Sequence, residues 1–337
     1  MLEPERLQLA RLPTPFVRLE RLGRALDGAQ IWLKRDDLTG LELSGNKVRK
    51  LEYVAADALA TGCDTLVTEG TPQSNHCRAT AAVCARLGLH CVLLLRPEAP
   101  REPQGNHLLD VLFGAETRSF ARAEYHAQRD HIVADVLAEL KAAGRRPRWT
   151  PAGASEPLGC WGYLRTAGEL AEQLRAAEID GCDVVVTTSS GATYAGLLLG
   201  QLLRRLDNWR LWAVPVSEDV PYHTAQAGEL CRAAIERYDL PIDFDAAALH
   251  FVDGYVGEGY GLPYPAVSAA IQLLARTEAI VLDPVYTGKA FCAVLDGVRA
   301  RRFGRAQPVI FVHTGGIFSD FAWPTTLLAS PAAASST

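Results

Sequence analysis

The sequence predicts an α/β fold with open, twisted, mostly parallel sheets. Three observations predict it. Short continuous apolar runs, such as Asp183–Thr187 and Val309–Val312, have the composition of parallel strands buried on both faces. These runs alternate with segments of helical period. Glycine-, serine- and asparagine-bearing turns join strand to following helix, at 69–75, 188–193 and 313–316. With 337 residues, 48% of them apolar, the chain can bury one large core or two ordinary ones.

In chain order, Leu12-Pro13-Thr14-Pro15 reads as an extended entry segment. Ile31–Arg35 is a strand, followed by a loop from Asp36 to Leu43. Ser44-Gly45-Asn46-Lys47-Val48-Arg49-Lys50 opens a helix whose apolar positions, Val48, Leu51, Val54, Ala55, Ala58 and Leu59, recur at helical spacing until Gly62. Ser44 or Asn46 can cap it. Thr65–Thr68 is a strand, Ser74–Leu87 a helix stopped by Gly88, and Cys91–Leu95 a strand. Helices are expected at 106–113, 124–143 and 158–177. After the strand 183–187 come a helix at 194–206, a strand at 211–214 and a helix at 225–238. A loop rich in glycine, proline and tyrosine spans 254–265. Helices at 266–276 and 289–301 flank an expected strand at Ile280–Leu282, and Val309–Val312 is the last strand. Residues 329–337 are small and polar and are expected to fray.

Composition narrows the function. The net charge of -5 is mild and argues against nucleic acid or an anionic membrane as the main partner. There is no run of about 18 apolar residues and no signal-peptide pattern at the start. The eight cysteines form no C-x-x-C pair, so neither a metal (zinc) site nor a redox dithiol is indicated. Cys77, Cys84 and Cys91 read as small core residues, and a reduced, cytoplasmic protein fits this usage.

Four segments carry chemistry. Lys47 sits at a helix N-terminus, where the dipole disfavours a cation and favours a neutral, nucleophilic amine; taken alone, the motif reads first as a solvated lysine in a capping turn. Gln73-Ser74-Asn75-His76 offers caps and free amides that suit a carboxylate, or forms an ordinary strand-to-helix turn. Thr188–Thr193 opens a helix after a buried strand, a setting in which amides cradle phosphate. It matches neither the dinucleotide nor the nucleoside-triphosphate pattern, so a compact monophosphate fits better. The tail segments Gly259-Tyr260-Gly261, Asp283-Pro284-Val285-Tyr286-Thr287-Gly288-Lys289 and His313-Thr314-Gly315-Gly316 add tyrosine hydroxyls that can move protons, or that are core aromatics, and a threonine at a strand's carboxyl end.

On S-G-N-K-V-R-K-L-E at 44–52, Q-S-N-H at 73–76, D-P-V-Y-T-G-K at 283–289 and H-T-G-G at 313–316, the chain resembles the fold-type-II (tryptophan synthase β-like) pyridoxal-phosphate enzymes. The branch is that of D-cysteine desulfhydrase, L-cysteate sulfo-lyase and 1-aminocyclopropane-1-carboxylate (ACC) deaminase, and the resemblance spans about residues 12–321. It implies pyridoxal 5'-phosphate as cofactor, with Lys47 holding it as the internal Schiff base. It implies that Ser74 contacts substrate and relays a proton, and that Asn75 bonds the cofactor's 3′-oxygen. Ser74, Asn75 and His76 then face the substrate. The backbone of Ser189, Ser190, Gly191, Ala192 and Thr193, with Lys50, holds the phosphate. Tyr260 and Tyr286 line the substrate side as catalytic groups, and Thr314 meets the ring nitrogen. A small domain, 50–165, is inserted in a large cofactor-binding domain made of 1–49 and 166–337. Family members are homodimers.

Among the other lysines, Lys34 lies in a strand, Lys141 late in a helix, and Lys289 at a helix start remote from any glycine loop. Lys50 lies one turn beyond Lys47 and suits a phosphate counter-charge. Two departures stand out. The phosphate loop resembles G-S-G-G-T but reads Ser189-Ser190-Gly191-Ala192-Thr193, keeping one glycine. Pro72 stands where relatives carry an aliphatic residue and removes a backbone donor.

The resemblance implies a lyase acting on a small amino acid. A hydroxyl at the ring nitrogen makes a weaker electron sink than a carboxylate, which suits α,β-elimination of a good leaving group. At Thr287 the deaminase pattern carries glutamate, so D-cysteine, giving pyruvate, ammonia and sulfide, is expected ahead of L-cysteate and of 1-aminocyclopropane-1-carboxylate. Racemisation, β-replacement, and a non-catalytic amino-acid or phosphate binder on the same fold are the competing readings.

Overall fold

The computed structural model describes residues 3–40, 45–97, 102–304 and 307–328. Two sheets organise them. The first is β1 (Phe16–Arg18), β2 (Ile31–Lys34), β9 (Val309–Val312), β7 (Cys182–Thr188) and β8 (Trp209–Pro215), in the order β1-β2-β9-β7-β8. All its pairings are parallel except β1 with β2. The second is all parallel, in the order β5-β4-β3-β6, with β3 (Thr65–Gly70), β4 (His90–Leu95), β5 (Glu116–Ser119) and β6 (Pro147–Trp149).

The first sheet is buried on both faces, as its unbroken apolar strands require. Val184, Val186, Ile310 and Val312 point to one side. There they pack with α2 (Asn46–Ala60), α6 (Pro157–Ala176), α7 (Ala192–Leu203) and α8 (Val220–Tyr238). Val185, Val309 and Phe311 point to the other. They meet α1 (Glu20–Ala25), α9 (Pro265–Glu278) and α10 (Thr287–Arg299). This is the period-two alternation of a strand, with both faces apolar. Each fully buried valine or phenylalanine contributes about 1.5–3 kcal/mol. In the second sheet, Leu66, Cys91, Leu93 and Leu95 face Ala58 of α2 and Cys77, Ala81 and Cys84 of α3 (Asn75–Leu87). Val67, Val92 and Leu94 face α5 (Arg122–Ala142). The three regularly spaced cysteines are thus core residues, and all eight cysteines are free thiols. The helix α4 (Gly105–Leu112) lies before β5, and α11 (Pro324–Leu328) closes the described chain.

A buried ionic network fixes α2 against the first sheet. The Arg49 guanidinium donates to Asp36 (Nη2 to Oδ1, 2.7 Å; Nε to Oδ2, 2.9 Å) and to both carboxylate oxygens of Glu169 on α6. Lys34 at the end of β2 also donates to Glu169, to Gln173 and to the Thr14 carbonyl. Tyr163 donates to Asp36 Oδ2 at 2.6 Å. Such a network tolerates no missing member, because each charge is removed from water. Here it holds the helix that carries Lys47.

Three expectations need correction. Ile280–Leu282 forms no strand: Ile280 and Leu282 are buried, but the chain runs straight into the Asp283-Pro284 turn and joins no ladder among the described residues. Proline there removes a ladder donor. The strands β1, β5 and β6 and the helix α1 are additional to the sequence reading. All three strands lie at sheet edges. The helix α8 begins at Val220 rather than 225, capped by Asp219, whose carboxylate accepts from Tyr222 N–H at 2.9 Å.

Candidate active site

Lys47 lies in the first turn of α2, and the helix start is held by other elements rather than by its own cap. Ser44 lies outside the described residues. Asn46 does not cap: its N–H donates to the Thr314 carbonyl at 2.9 Å, and its side-chain amide donates to Thr193 Oγ1 at 2.9 Å. An orphan helix donor is thereby satisfied by the loop after β9. The N-cap is Gly45 at φ +104°, where a Cβ would stand 2.7 Å from the Thr314 oxygen. Only glycine fits so close to a backbone in that conformation. Lys47 keeps part of its surface open to the cleft. Burial of its amine lowers its pKa to about 8. That is the direction a nucleophilic lysine needs.

The cleft is lined by Asn46, Lys47, Asn75, Thr187–Gly191, Thr193, Tyr286 and Thr314. The space in and just above it, open solvent included, is about 380 Å³. Sequence-predicted residues from five separate stretches of chain therefore meet. Lys50, Ser74, His76, Ala192 and Tyr260 are not part of that lining. Lys50 is fully buried and donates to the Gly153 carbonyl at 3.0 Å. Its pKa falls well below the ordinary lysine value, first through burial and then through the neighbouring charge of Lys47. Its contact is thus with the 151–155 loop, and its ammonium is not on the cleft surface.

In the loop from Ser189 to Thr193, only Gly191 has positive φ, at +92°. The one glycine kept from the family pattern is the one the path needs. A Cβ there would meet Leu230 and Gln226 at 2.8 and 2.9 Å. The amides of the first α7 turn follow directly, that of Ala192 in a long contact with Ser155 Oγ at 3.5 Å. Thr187, at the end of β7, has a buried hydroxyl with no partner among the described residues. An amide-rich cradle, an unpaired hydroxyl and one half-buried lysine fit a phosphate-bearing carbonyl compound.

Thr71–Ser74 forms a turn in which Ser74 N–H donates to the Thr71 carbonyl at 2.9 Å. Pro72 occupies the turn position its fixed φ favours, so its presence strengthens the loop. Ser74 caps α3, accepting from Cys77 N–H at 3.2 Å. Asn75 Oδ1 accepts from Asn106 at 2.8 Å, which leaves its amide hydrogens for an acceptor in the cleft. Asn106 also bonds the Gln73 carbonyl and accepts from Arg78. His76 is buried. The Thr68 hydroxyl donates to the Thr150 carbonyl, so His76 Nε2 carries the proton that Thr68 accepts. Burial, then Lys47 and Lys50, depress its pKa well below the usual value, keeping it neutral.

On the tail side, the hydroxyls of Tyr260 and Tyr286 bond each other, and burial raises both pKa values. Thr287 does not face the cleft: its hydroxyl donates to Asp283 Oδ1 at 2.7 Å and accepts from Asp283 N–H at 2.8 Å. The Asp283 carboxylate caps α10 through the N–H groups of Val285, Tyr286 and Thr287. Lys289 is not remote from glycine loops, since it donates to the Gly259 carbonyl at 2.8 Å.

The sequence matches the family described as pyridoxal-phosphate dependent enzymes over residues 7–315. The chain belongs to that family. Pyridoxal phosphate is its cofactor, and the cradle and lysine above fit it. The chain is 43% identical to D-cysteine desulfhydrase of Serratia proteamaculans, over 94% of this chain and 96% of that protein. It is 41% identical to the D-cysteine desulfhydrase of Klebsiella pneumoniae, with the same coverage. A crystal structure described as an ACC deaminase homologue superposes with a TM-score of 0.87 at 36% identity, covering 97% of this chain and 96% of that one.

Sequence reasoning missed Gly153, Thr187 and Asn106, and gave Asp283 no role of its own within its motif. Gly153 has φ +71°, and a Cβ on it would lie 2.1 Å from Ser190 Oγ and 3.1 Å from Lys47 Nζ. The glycine in Pro151-Ala152-Gly153-Ala154, between strand and helix, was the available signal.

Proposed function

We propose that the chain is a lyase converting D-cysteine to pyruvate, ammonia and sulfide. The observation that carries this reading is its 43% identity to a D-cysteine desulfhydrase over nearly the full length of both proteins. The cleft chemistry supports it. The lining is made of hydroxyls, amides and one ammonium, with Thr314 as the hydroxyl beside the lysine helix. When bound, pyridoxal phosphate withdraws electrons from the substrate's α-carbon. Thr314 offers a neutral hydrogen bond to the ring, weaker by roughly half than a charge-assisted one. That suits a substrate whose β-thiolate leaves readily.

The chain's own residues then take these roles. Lys47 would hold the cofactor and, when its amine is free, move the α-proton; burial lowers that amine's pKa, the direction a base needs. The amides of Ser189–Thr193 hold the phosphate. Asn75 donates its free amide hydrogens to the cofactor's oxygen. Ser74 and the 73–76 turn receive the substrate carboxylate at the start of α3. Tyr260 and Tyr286 stay protonated at neutral pH and can hand a proton to the departing thiolate. Lys50 contributes through the Gly153 loop and not as a direct phosphate partner. Residues 50–165 act as a smaller domain inserted between 1–49 and 166–337, with its limits inside α2 and α6. The family resemblance supports a cytoplasmic homodimer.

The test is side-by-side kinetics with D-cysteine, L-cysteate and 1-aminocyclopropane-1-carboxylate, following pyruvate, sulfide, sulfite and 2-ketobutyrate. D-cysteine is expected to give the highest kcat/KM. A higher value for the cyclopropane substrate overturns the reading.

A further inference from the structure

Lys289 is fully buried, yet no carboxylate bonds its amine among the described residues. It donates to the carbonyls of Val256 (2.6 Å) and Gly259 (2.8 Å). Its third side faces the ring of Tyr264, 5.9 Å from the centroid. Two carbonyls and an aromatic face thus enclose the ammonium. Burial lowers its pKa to about 8, so it is mostly charged at pH 7 and its hydrogen bonds are charge-assisted.

What those bonds hold is specific. Val256 and Gly259 belong to the glycine-rich loop that carries Tyr260, the residue next to Gly259. Gly257, Gly259 and Gly261 all have positive φ, so this loop follows a path with little regular structure of its own. On the other side, Lys289 stands three residues after Tyr286, in the first turn of α10. The loop is therefore tied to that turn at two points: by the Lys289 ammonium, and by the Tyr260–Tyr286 hydroxyl contact. Tyr286 is anchored independently, since its N–H donates to Asp283 at 2.9 Å. Tyr260 has no such backbone anchor of its own among the described residues, and Lys289 supplies it one residue away.

We propose that Lys289 is a positioning residue for the reaction: it clamps the 256–259 backbone so that the Tyr260 hydroxyl meets Tyr286 at the cleft. It does not touch the cleft lining itself. This inference rests on the reading of Tyr260 as a site residue.

The experiment compares Lys289→Met, Tyr260→Phe and the double variant as holoenzymes. Displacing a group by about 1 Å can cost up to about a hundredfold in rate. Lys289→Met is expected to keep its cofactor, lose roughly tenfold or more in kcat, and change KM by less than about threefold. In the Tyr260→Phe background the same substitution is expected to cost nothing further, because both act through one hydroxyl. Amide hydrogen exchange of residues 254–262 is expected to speed up in Lys289→Met while the two sheets stay protected. If Lys289→Met does not fold, Lys289→Gln takes its place: its amide is uncharged and one bond shorter than the ammonium, so the same pattern is expected with smaller losses. Equal losses in both backgrounds show a general structural role and overturn the proposal, as does unchanged exchange of the loop. Full turnover by Tyr260→Phe overturns the reading of Tyr260, and faster loop exchange then still reports the clamp separately.

Discussion

Gly153→Ala isolates the packing between the 151–155 loop and the cofactor cradle. Gly153 has φ +71° and ψ +13°, a conformation that costs a residue with a Cβ about 1–2 kcal/mol. The new Cβ would stand 2.1 Å from Ser190 Oγ, 2.9 Å from Ser190 Cβ and 3.1 Å from Lys47 Nζ. Ser190 must move by about an ångström to restore van der Waals contact, and overpacking of this kind costs about 1–3 kcal/mol. The sum is on the order of 2–5 kcal/mol, divided between stability and the geometry of the cradle. If half falls on cofactor binding, affinity drops by about five- to seventyfold. The assay is titration of the apoenzyme with pyridoxal phosphate, followed by absorbance, with thermal unfolding of apo and holo forms alongside. Weaker binding and a Tm lower by several degrees are expected. Adding Ser190→Gly removes the clashing atoms and is expected to recover the packing part but not the backbone part. Wild-type affinity and an unchanged Tm in Gly153→Ala refute the reasoning.

Two further outcomes follow from the electrostatics. With its pKa lowered to about 8, Lys47 in the apoenzyme is neutral in roughly one molecule in ten at pH 7, against about one in 3,000 for an ordinary lysine. The rate of reconstitution with pyridoxal phosphate is expected to climb with pH and level off above pH 8; a climb continuing to pH 10 contradicts the depressed value. Burial pushes the Glu169 carboxyl up, but Arg49 and Lys34 outweigh it and bring it down to about 2. A depressed folded pKa stabilises above the unfolded value of about 4.5, and that stability, on the order of 3 kcal/mol, is lost as pH falls toward 2. Glu169→Gln, which also leaves Arg49 and Lys34 short of a counter-charge, is expected to lose roughly 3–5 kcal/mol at pH 7 in urea unfolding. Its stability should fall less steeply than that of wild type between pH 5 and 2.5, and a slope equal to wild type shows that Glu169 carries none of it.

The chain's local chemistry was legible without the fold. Buried strands such as β7 and β9 announce themselves because both faces must be apolar, and α3 announces its start because Ser74 is its own cap. Lys47, Asn75, the 189–193 loop and Thr314 could be named because each sits at a strand-to-helix junction, where backbone amides and carbonyls are left over. What the sequence did not determine is which partner each group takes when several are chemically equal. The strands β1, β5 and β6 are three or four residues long and exist only because a longer neighbour offers a ladder edge. Ile280–Leu282 has strand composition and no such edge. Thr287 could reach a ring or the backbone, and the nearby Asp283 carboxylate takes its hydroxyl. Lys50 and Lys289 both find backbone carbonyls contributed by loops distant in sequence, at Gly153 and at Val256 and Gly259. A hydrogen-bond donor taken out of water must be satisfied by whatever acceptor the tertiary fold brings within 3 Å, and that choice is made by packing rather than by spacing along the chain.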